Sequence, residues 1–134
     1  MILGIGTDIV AVARLRAVLA RRGDRFARRI LHTGEWPGYA DAADPARLLA
    51  RRFAAKEAVA KALGTGFREG VRPSQIEVVH DARGGPGAQL HGAAARVMAA
   101  QGGVRMLLSV SDERDYAVAY ACLLYTSDAA DDMQ

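Results

Sequence analysis

Two different spacings of apolar residues predict the elements of the first third of the chain. Residues 2–10 are apolar and rich in β-branched side chains, which is typical of a strand. Residues 12–20 place apolar side chains three and four positions apart, with arginines available to the opposite face, and this predicts an amphipathic helix. A second, short helix is expected over residues 25–31, with Asp24 as its N-cap.

The longest helix is predicted to follow a turn-rich segment. Residues 32–44 contain threonine, glycine and proline residues that favour a turn with a weak helical piece. Pro45 suits the first turn of a helix, Asp44 can cap that turn, and Gly64 can end the helix. We therefore expect a helix from Pro45 to about Leu63.

The second half of the chain returns to strand patterns, which one helix interrupts. The predicted elements are a strand at residues 76–79, a glycine-rich turn at 84–87, a short strand near 89–91, a helix over 93–101, and strands over 104–111 and 116–124. The last two strands are separated by four polar residues and are expected to form an antiparallel hairpin. Because helices and strands do not alternate regularly, the pattern favours an α+β domain over a doubly wound sheet.

Length and composition fit one compact domain. The chain has 134 residues, of which 51% are hydrophobic and 25% charged, and this is too apolar for a disordered chain. No apolar run approaches the roughly 18 residues that span a bilayer, and residues 1–8 lack the basic start of a secretory signal. We therefore expect a cytoplasmic protein without a membrane partner.

Residues 122–134 differ from the arginine-rich chain before them. They are CLLYTSDAADDMQ, and the first eleven match the translation of a common transposase-type sequencing adaptor in one frame. We predict that residues 1–121 form a single domain and that the rest is a non-native tail, although a frayed polar C-terminus is the simpler alternative. Without the tail aspartates the chain has 18 basic and 12 acidic residues, and its net charge is +6 instead of +3; these aspartates are Asp128, Asp131 and Asp132.

Positive charge is carried almost entirely by arginine. Sixteen of the eighteen cationic residues are arginines, and the two lysines, Lys56 and Lys61, both lie in the segment KEAVAK. This distribution suggests that the chemistry of the segment needs an ammonium group. The simpler explanation is coincidence on a solvated helix face.

The segment RRFAAKEAVAKALGTG, residues 51–66, contains the most informative candidate site. Glu57 and Lys61 lie four positions apart on a predicted helix and so share a face. The helix ends in Gly-Thr-Gly, a loop whose backbone can approach a phosphate closely because glycine has no Cβ. Together these groups indicate a site for metal-bound phosphate. The alternative is an ordinary ion pair worth a few tenths of a kcal/mol.

Asp8 stands at the end of the otherwise apolar first strand. A carboxylate there is costly to place unless it faces solvent or a cation. Magnesium prefers one or two carboxylates together with phosphate oxygens and water, so Asp8 and Glu57 would suffice for a Mg²⁺ site. The alternative is that Asp8 caps the following helix. The neighbouring Gly4 and Gly6 are not a dinucleotide-binding fingerprint, because the third glycine is missing.

Two motifs carry a resemblance to a known family. GIGTDIV at residues 4–10 and FAAKEAVAKALGTG at residues 53–66 closely resemble the holo-acyl-carrier-protein synthases, the small group of the 4′-phosphopantetheinyl transferases. The similarity extends to Arg14, to the turn at residues 31–35, to Gly85-Pro86 and to the closing SVSDERDYAVAYA. The resemblance implies an α+β fold in which an antiparallel sheet wraps around a long helix.

The resemblance also implies a reaction. Members of the family transfer 4′-phosphopantetheine from coenzyme A to a serine of apo acyl carrier protein, in fatty acid biosynthesis and lipid metabolism, and release adenosine 3′,5′-bisphosphate. By carry-over, Asp8 and Glu57 would hold Mg²⁺ on the pyrophosphate, and Lys61 would contact the same phosphates as the leaving group departs. The remaining coenzyme contacts would come from the helix, its loop and the turn near the adenine: Lys56, Gly64, Thr65, Gly66, Arg83 and Pro86.

One residue departs from the family pattern. Asp112 stands where many members have a histidine after the SxS of the penultimate strand. An aspartate can accept a proton but cannot supply a cation, so we hypothesise that Asp112 supports catalysis without being essential. The serine could instead be deprotonated by Glu57 or by a metal-bound water. Family members are typically trimers with each site at a subunit boundary, and we expect a homotrimer.

Arginines cluster over residues 14–29. Acyl carrier proteins are acidic and helical, and the resemblance assigns Arg14, with Arg21 and Arg25, to docking the carrier by charge complementarity. Basic helices are also typical of nucleic-acid binding, so the alternative is a small basic nucleic-acid-binding protein without catalytic activity. Three histidines share no ligand spacing and are interpreted as structural: His32, His80 and His91.

Overall fold

The computed structural model of the protein describes residues 1–125, and its elements follow the predicted order. Along the chain they are β1 (Ile2–Ala11), α1 (Val12–Arg22), α2 (Asp24–Ile30), a 3₁₀ turn (Thr33–Glu35), α3 (Trp36–Ala40), α4 (Pro45–Leu63), a 3₁₀ turn (Pro73–Gln75), β2 (Ile76–His80), β3 (Pro86–Leu90), α5 (Gly92–Ala100), β4 (Arg105–Asp112) and β5 (Tyr116–Leu124). In this part of the chain, no helix is both long and apolar enough to cross a membrane.

The five strands form one antiparallel sheet in the order β1-β5-β4-β3-β2. The predicted hairpin of β4 and β5 is confirmed, and β1 pairs with β5 from Ile2↔Leu124 to Ala11↔Tyr116. Within residues 1–125, the pairing of β3 with β4 is limited to Gly87↔Leu107, so the sheet splays open between these strands. The fold is the α+β arrangement expected from the sequence.

Helix α4 forms the centre of the core and packs on β1, β4 and β5. Most of its buried positions are alanines, and Leu49 and Val59 are fully buried between them. Gly4 and Gly6 of β1 lie directly against this helix, where a Cβ would come within 2.1 and 2.0 Å of the Ala62 and Ala58 carbonyl oxygens. The two glycines are therefore required for close packing of a helix on a strand.

The ends of α4 are as predicted. Asp44 Oδ1 accepts a hydrogen bond from the Arg47 backbone N–H at 3.3 Å, and Pro45 occupies the first turn. Gly64 ends the helix in the left-handed region, with φ of 81°.

Two other predicted helix caps are wrong. Asp24 is the first residue of α2, whose N-cap is Gly23, and the Asp24 carboxylate accepts from the Tyr39 hydroxyl at 3.4 Å. Asp8 does not cap α1, because β1 continues as far as Ala11 and the helix begins after it.

The predicted non-native tail begins inside β5. Cys122 pairs with Ile5 on one side and Leu107 on the other, and Leu123 is fully buried. These side chains are apolar enough to complete the strand whatever their origin. The foreign origin of the segment stays a prediction, and its aspartates lie outside the described residues: Asp128, Asp131 and Asp132.

Candidate active site

Two carboxylates and one ammonium group converge where β1 crosses α4. The even-numbered residues of β1 face the helix, so Asp8 falls on the same face as Gly4 and Gly6. Lys61 Nζ lies 3.2 Å from Asp8 Oδ1 and donates to the Thr7 carbonyl oxygen at 2.9 Å. Glu57 lies one turn earlier on α4 and shares this face. The close contact of strand and helix thus brings Asp8 to the two α4 residues.

The electrostatics of the site favour a cation. Burial raises the pKa of Glu57, and the Asp8 carboxylate raises it further, while Lys61 and Arg14 lower it. The four-residue spacing of Glu57 and Lys61 would also suit an ordinary ion pair between them. In residues 1–125, however, Lys61 forms its ion pair with Asp8. At Glu57, the neighbouring Asp8 carboxylate therefore outweighs the Lys61 ammonium group.

The donor set suits a hard divalent cation. Carboxylate oxygens are the protein ligands that Mg²⁺ prefers, and it completes its octahedron with phosphate oxygens and water. The Asp8 side chain is 17% exposed and Glu57 is half-buried, so both remain accessible to a ligand. Asp8 and Glu57 could therefore hold Mg²⁺ beside a phosphate group.

Arg14 borders the site from α1. Its guanidinium carbon lies 5.8 Å from the centroid of the Phe53 ring, and Phe53 stands one turn before Glu57 on α4. Because Arg14 also contributes to the pKa of Glu57, its charge acts on the candidate metal site. The predicted docking residue thus stands beside the carboxylates.

The Gly-Thr-Gly loop follows Lys61 by less than one helical turn. Gly64 and Gly66 have φ values of 81° and 57°, and a Cβ at either position would meet nothing within 4 Å. Glycine is thus required here by the backbone conformation, and the space above the loop is open to a ligand. Thr65 is buried, and its hydroxyl donates to the Gly66 carbonyl oxygen at 2.7 Å.

Lys56 does not belong to this site, and the expectation that it contacts the coenzyme is wrong. Its side chain is fully buried, and Nζ donates to Glu35 Oε1 at 2.6 Å and to the carbonyl oxygens of Pro73 and Ile76. A helix turns by about 100° per residue, so Lys56 points into the core while its neighbour Glu57 faces the ligand side. Its three donors all have protein acceptors, and Lys56 is a structural residue.

Arg83 and Pro86 lie on another part of the sheet. The β2–β3 turn is held by Asp81 Oδ1, which accepts from the backbone N–H groups of Arg83 and Gly85 at 2.9 and 2.8 Å. Pro86 begins β3, and β5 and β4 stand between β3 and β1, so three strand spacings, about 14 Å, separate Pro86 from Asp8. The chain does not bring these residues together within one copy.

Asp112 lies at the other end of α4. Arg47 Nε donates to Asp112 Oδ2 at 2.7 Å, and Arg51 Nη1 lies 3.5 Å from the same oxygen. Arg47 precedes Glu57 by ten positions, which is about 15 Å along a helix. The hydrogen bond from Arg47 holds the pKa of Asp112 below its usual range, against the opposing effect of burial. In one copy of the chain, Asp112 positions the β4–β5 hairpin against α4.

The other predicted docking residues lie on the same side of the molecule as Arg14. Arg21 and Arg25 are exposed and line a cavity of about 250 Å³ at the junction of α1 and α2, together with Arg22, Phe26 and Arg29. Arg16 is separate from this group, because it forms an ion pair with Asp44 at 3.1 Å. Within residues 1–125, Arg21 and Arg25 form no ion pair, so the α1–α2 surface carries positive charge around an apolar centre.

Comparison with known proteins gives one consistent result. Residues 4–121 match the family model of the 4′-phosphopantetheinyl transferase superfamily. The chain is 56% identical over 124 residues to the holo-[acyl-carrier-protein] synthase of Halorhodospira halophila, and the alignment covers 92% of this chain and 98% of that one.

Solved structures are similar as well. The holo-[acyl-carrier-protein] synthase of Neisseria meningitidis superposes with a TM-score of 0.87 at 43% identity, over 92% of this chain and 99% of that one. The enzyme of Helicobacter pylori, solved in complex with coenzyme A, superposes with a TM-score of 0.78 at 26% identity, over 90% and 99% of the two chains.

Proposed function

This chain belongs to the 4′-phosphopantetheinyl transferase superfamily, and on that premise we propose how its own residues carry out the family's reaction. The chain is a phosphopantetheinyl transferase that moves 4′-phosphopantetheine from coenzyme A to a serine of apo acyl carrier protein. The products are holo carrier protein and adenosine 3′,5′-bisphosphate. The nucleic-acid-binding alternative is not favoured, because the transferase match spans residues 4–121.

The observation that carries the proposal is the convergence of Asp8, Glu57 and Lys61. Coenzyme A contains a pyrophosphate, and two carboxylates with an adjacent ammonium group can bind such a group through a divalent cation. Asp8 and Glu57 would hold Mg²⁺, which when bound neutralises pyrophosphate charge. Lys61 would leave Asp8 to donate to a phosphate oxygen.

The transfer itself is a displacement at phosphorus. The serine oxygen of the carrier forms a bond to the pantetheine-side phosphorus, and the bond from that phosphorus to the bridging pyrophosphate oxygen breaks. Lys61 stabilises the negative charge that develops on the departing phosphate. The serine proton would pass to Glu57, directly or through a water beside it. The loop at residues 64–66 would cradle the coenzyme phosphates.

A homotrimer would complete the site. Arg83 and Pro86 lie about 14 Å or more from Asp8 across the sheet, and a second copy of the chain would bring its own Arg83 and Pro86 to the same coenzyme. The sheet face opposite α4 offers an interface, since it exposes large apolar side chains on β1, β4 and β5. These residues are Ile5, Ile9, Leu107, Tyr116, Val118 and Tyr120.

The carrier would dock on the α1–α2 surface. Arg21 and Arg25 surround Phe26, which offers an apolar contact inside a ring of positive charge. Acidic helices of a carrier protein would be attracted to this surface, and Arg14 would guide the serine toward the carboxylates. The cytoplasm, where such carriers and coenzyme A occur together, is the proposed location.

Incubation of apo carrier protein with coenzyme A, Mg²⁺ and the enzyme tests the function. The carrier should gain the mass of one phosphopantetheine group, whereas salt-sensitive DNA binding without transfer would contradict the proposal. An Arg21→Glu, Arg25→Glu variant should raise KM for the carrier at least tenfold and leave KM for coenzyme A unchanged. Arg96→Glu, an exposed change on α5, is the matched control.

A further inference from the structure

Two histidines and a glutamate outside the candidate active site converge from three separate segments. His32 precedes the 3₁₀ turn Thr33–Glu35, Glu77 is on β2, and His91 precedes α5. His91 Nε2 lies 2.9 Å from Glu77 Oε1, and His32 Nδ1 lies 3.6 Å from the same oxygen. His32 and His91 share no ligand spacing in the sequence, yet the fold brings both side chains to Glu77.

The Glu77 carboxylate is held in position for these imidazoles. Its side chain is 18% exposed, and its ionic partners within residues 1–125 are the two histidines. The backbone of Gly34 packs against it so closely that a Cβ at position 34 would come within 2.3 Å of Oε2. A largely buried carboxylate whose ion-pair contacts in this part of the chain are both to imidazoles gains from a cation.

We propose that His32, Glu77 and His91 bind one divalent transition-metal ion of the Zn²⁺ class. Neighbouring ligands of a tetrahedral zinc ion lie roughly 3.3 Å apart, because its bonds to nitrogen and oxygen are about 2.0–2.1 Å long. The observed separations of 2.9 and 3.6 Å bracket that value, and all three ligand atoms lie within 4.8 Å of one another. Water would occupy the fourth position.

The ligand types distinguish this site from the Asp8–Glu57 pair. Imidazole nitrogen suits zinc, cobalt and nickel, whereas magnesium takes oxygen ligands. The His32–Glu77–His91 site is therefore expected to bind Mg²⁺ poorly. The Asp8–Glu57 pair is expected to bind Zn²⁺ less tightly than the histidine site does. The two metal sites are chemically independent.

Metal binding requires a modest rotation of the two rings. The imidazoles are stacked with centroids 4.3 Å apart and planes 12° from parallel, so both must tilt to direct a lone pair at one ion. His32 Nδ1 now accepts from the Gly34 N–H at 3.0 Å, and this exposed amide can donate to water instead. A cavity of about 390 Å³ lies beside His32.

A bound ion would strengthen one part of the fold. It would link the 3₁₀ turn to β2 and to the start of α5. The same turn carries Glu35, the partner of buried Lys56, so the ion would reinforce the anchor of this turn to α4. Its effect should be on stability, because the site lies apart from Asp8, Glu57 and Lys61.

Cobalt(II) is the direct probe, because its visible absorption reports coordination. The full chain, purified without a histidine tag and stripped with a chelator, is expected to bind one Co²⁺ ion and to show visible d–d bands that excess Mg²⁺ does not remove. Zn²⁺ should displace the cobalt and raise the Tm of the protein. Glu77→Gln and His91→Gln should each weaken binding at least about tenfold.

His80→Gln is the matched control, since His80 is an exposed histidine on the same strand as Glu77. It should bind Co²⁺ as the wild type does, and all folded variants should transfer phosphopantetheine at the wild-type rate in Mg²⁺. The proposal fails if the wild type shows no cobalt bands, or if both cluster variants bind as tightly as His80→Gln does. If Glu77→Gln does not fold, His91→Gln decides alone.

Discussion

Gly6 and Ala58 are in backbone contact, so close that a Cβ on Gly6 would lie 2.0 Å from the Ala58 carbonyl oxygen. The same Cβ would come within 2.9 Å of Lys61 Cβ. Strand β1 can therefore lie this close to α4 only because residue 6 has no Cβ. This separation also determines how far Asp8 stands from Glu57 and Lys61.

Gly6→Ala is therefore expected to damage the site through packing. The added methyl group has to push α4 away from β1, which should cost about 1–3 kcal/mol of stability. It should also displace Lys61 from Asp8 and reduce turnover by up to about 100-fold. Denaturant unfolding and the carrier mass assay measure both effects. Gly38→Ala is the control, because a Cβ there meets nothing within 4 Å and its φ is not in the left-handed region.

Replacing each lysine by methionine should affect different properties: stability at Lys56 and turnover at Lys61. Lys56→Met removes the ammonium group nearest the buried Glu35 carboxylate and leaves Arg52 at 3.5 Å as its cationic neighbour, so it should cost up to about 3–5 kcal/mol of stability. Lys61 is half-exposed, so Lys61→Met should change stability by less than about 1 kcal/mol but lower kcat by roughly 100-fold. Equal loss of stability in the two variants, seen by denaturant unfolding, would contradict the assignment of separate roles.

Asp112→Ala is expected to leave most of the activity in place. Asp112 pairs with Arg47 at a distance from Glu57, so its loss should lower turnover about tenfold at most, far less than Glu57→Ala. A fall as deep as that of Glu57→Ala would overturn the supporting role.

The pH dependence of stability provides a second check on Asp112. Arg47 lowers the pKa of this carboxyl in the folded state, so the pair stabilises the fold above the ordinary carboxyl pKa and loses this effect as the pH falls. Asp112→Asn should therefore be less stable than the wild type at neutral pH, and the difference should vanish in acid. A constant difference across this range would argue against the ion pair.

The apolar sheet face is expected to hold the proposed trimer together. Ile5 is 61% exposed on the side of β1 away from α4, so Ile5→Glu should convert the trimer to monomers and reduce activity with little loss of secondary structure. Sedimentation velocity and circular dichroism test this, with Ala99→Glu on exposed α5 surface as the control. A monomeric wild type, or a trimeric Ile5→Glu variant, would refute the proposed interface.

Local signals predicted most of the fold. Asp44, Pro45 and Gly64 mark the ends of α4 because caps and prolines act over one turn, and the polar residues between β4 and β5 predict their hairpin. The grouping of Asp8 with Glu57 followed from motifs on two elements. Their proximity, however, depends on Gly4 and Gly6, whose role in helix packing only the tertiary structure reveals.

The remaining features depend on contacts that local patterns do not encode. Lys56 and Glu57 are neighbours in the chain, yet one faces the core and the other the site, and the partner that makes burial of Lys56 possible, Glu35, comes from a distant turn. His32 and His91 likewise meet only because β2 and β3 pair beside the 3₁₀ turn. In each case the deciding partner is remote in sequence.

The central claim is that Asp8 and Glu57 together bind the magnesium that holds coenzyme A. Glu57→Gln offers a sharp test because it separates folding from function. Burial and Asp8 raise the pKa of Glu57, so the ionised carboxylate costs stability once the pH rises through that pKa. At neutral pH the glutamine variant should therefore have a Tm at least equal to that of the wild type.

The decisive measurement is the rate of phosphopantetheine transfer by wild type, Asp8→Asn and Glu57→Gln as Mg²⁺ is titrated, followed by the mass of the carrier protein. We expect both folded variants to lose at least about 100-fold in rate and to need far more Mg²⁺. A variant that keeps the wild-type rate and the wild-type Mg²⁺ dependence would contradict the account.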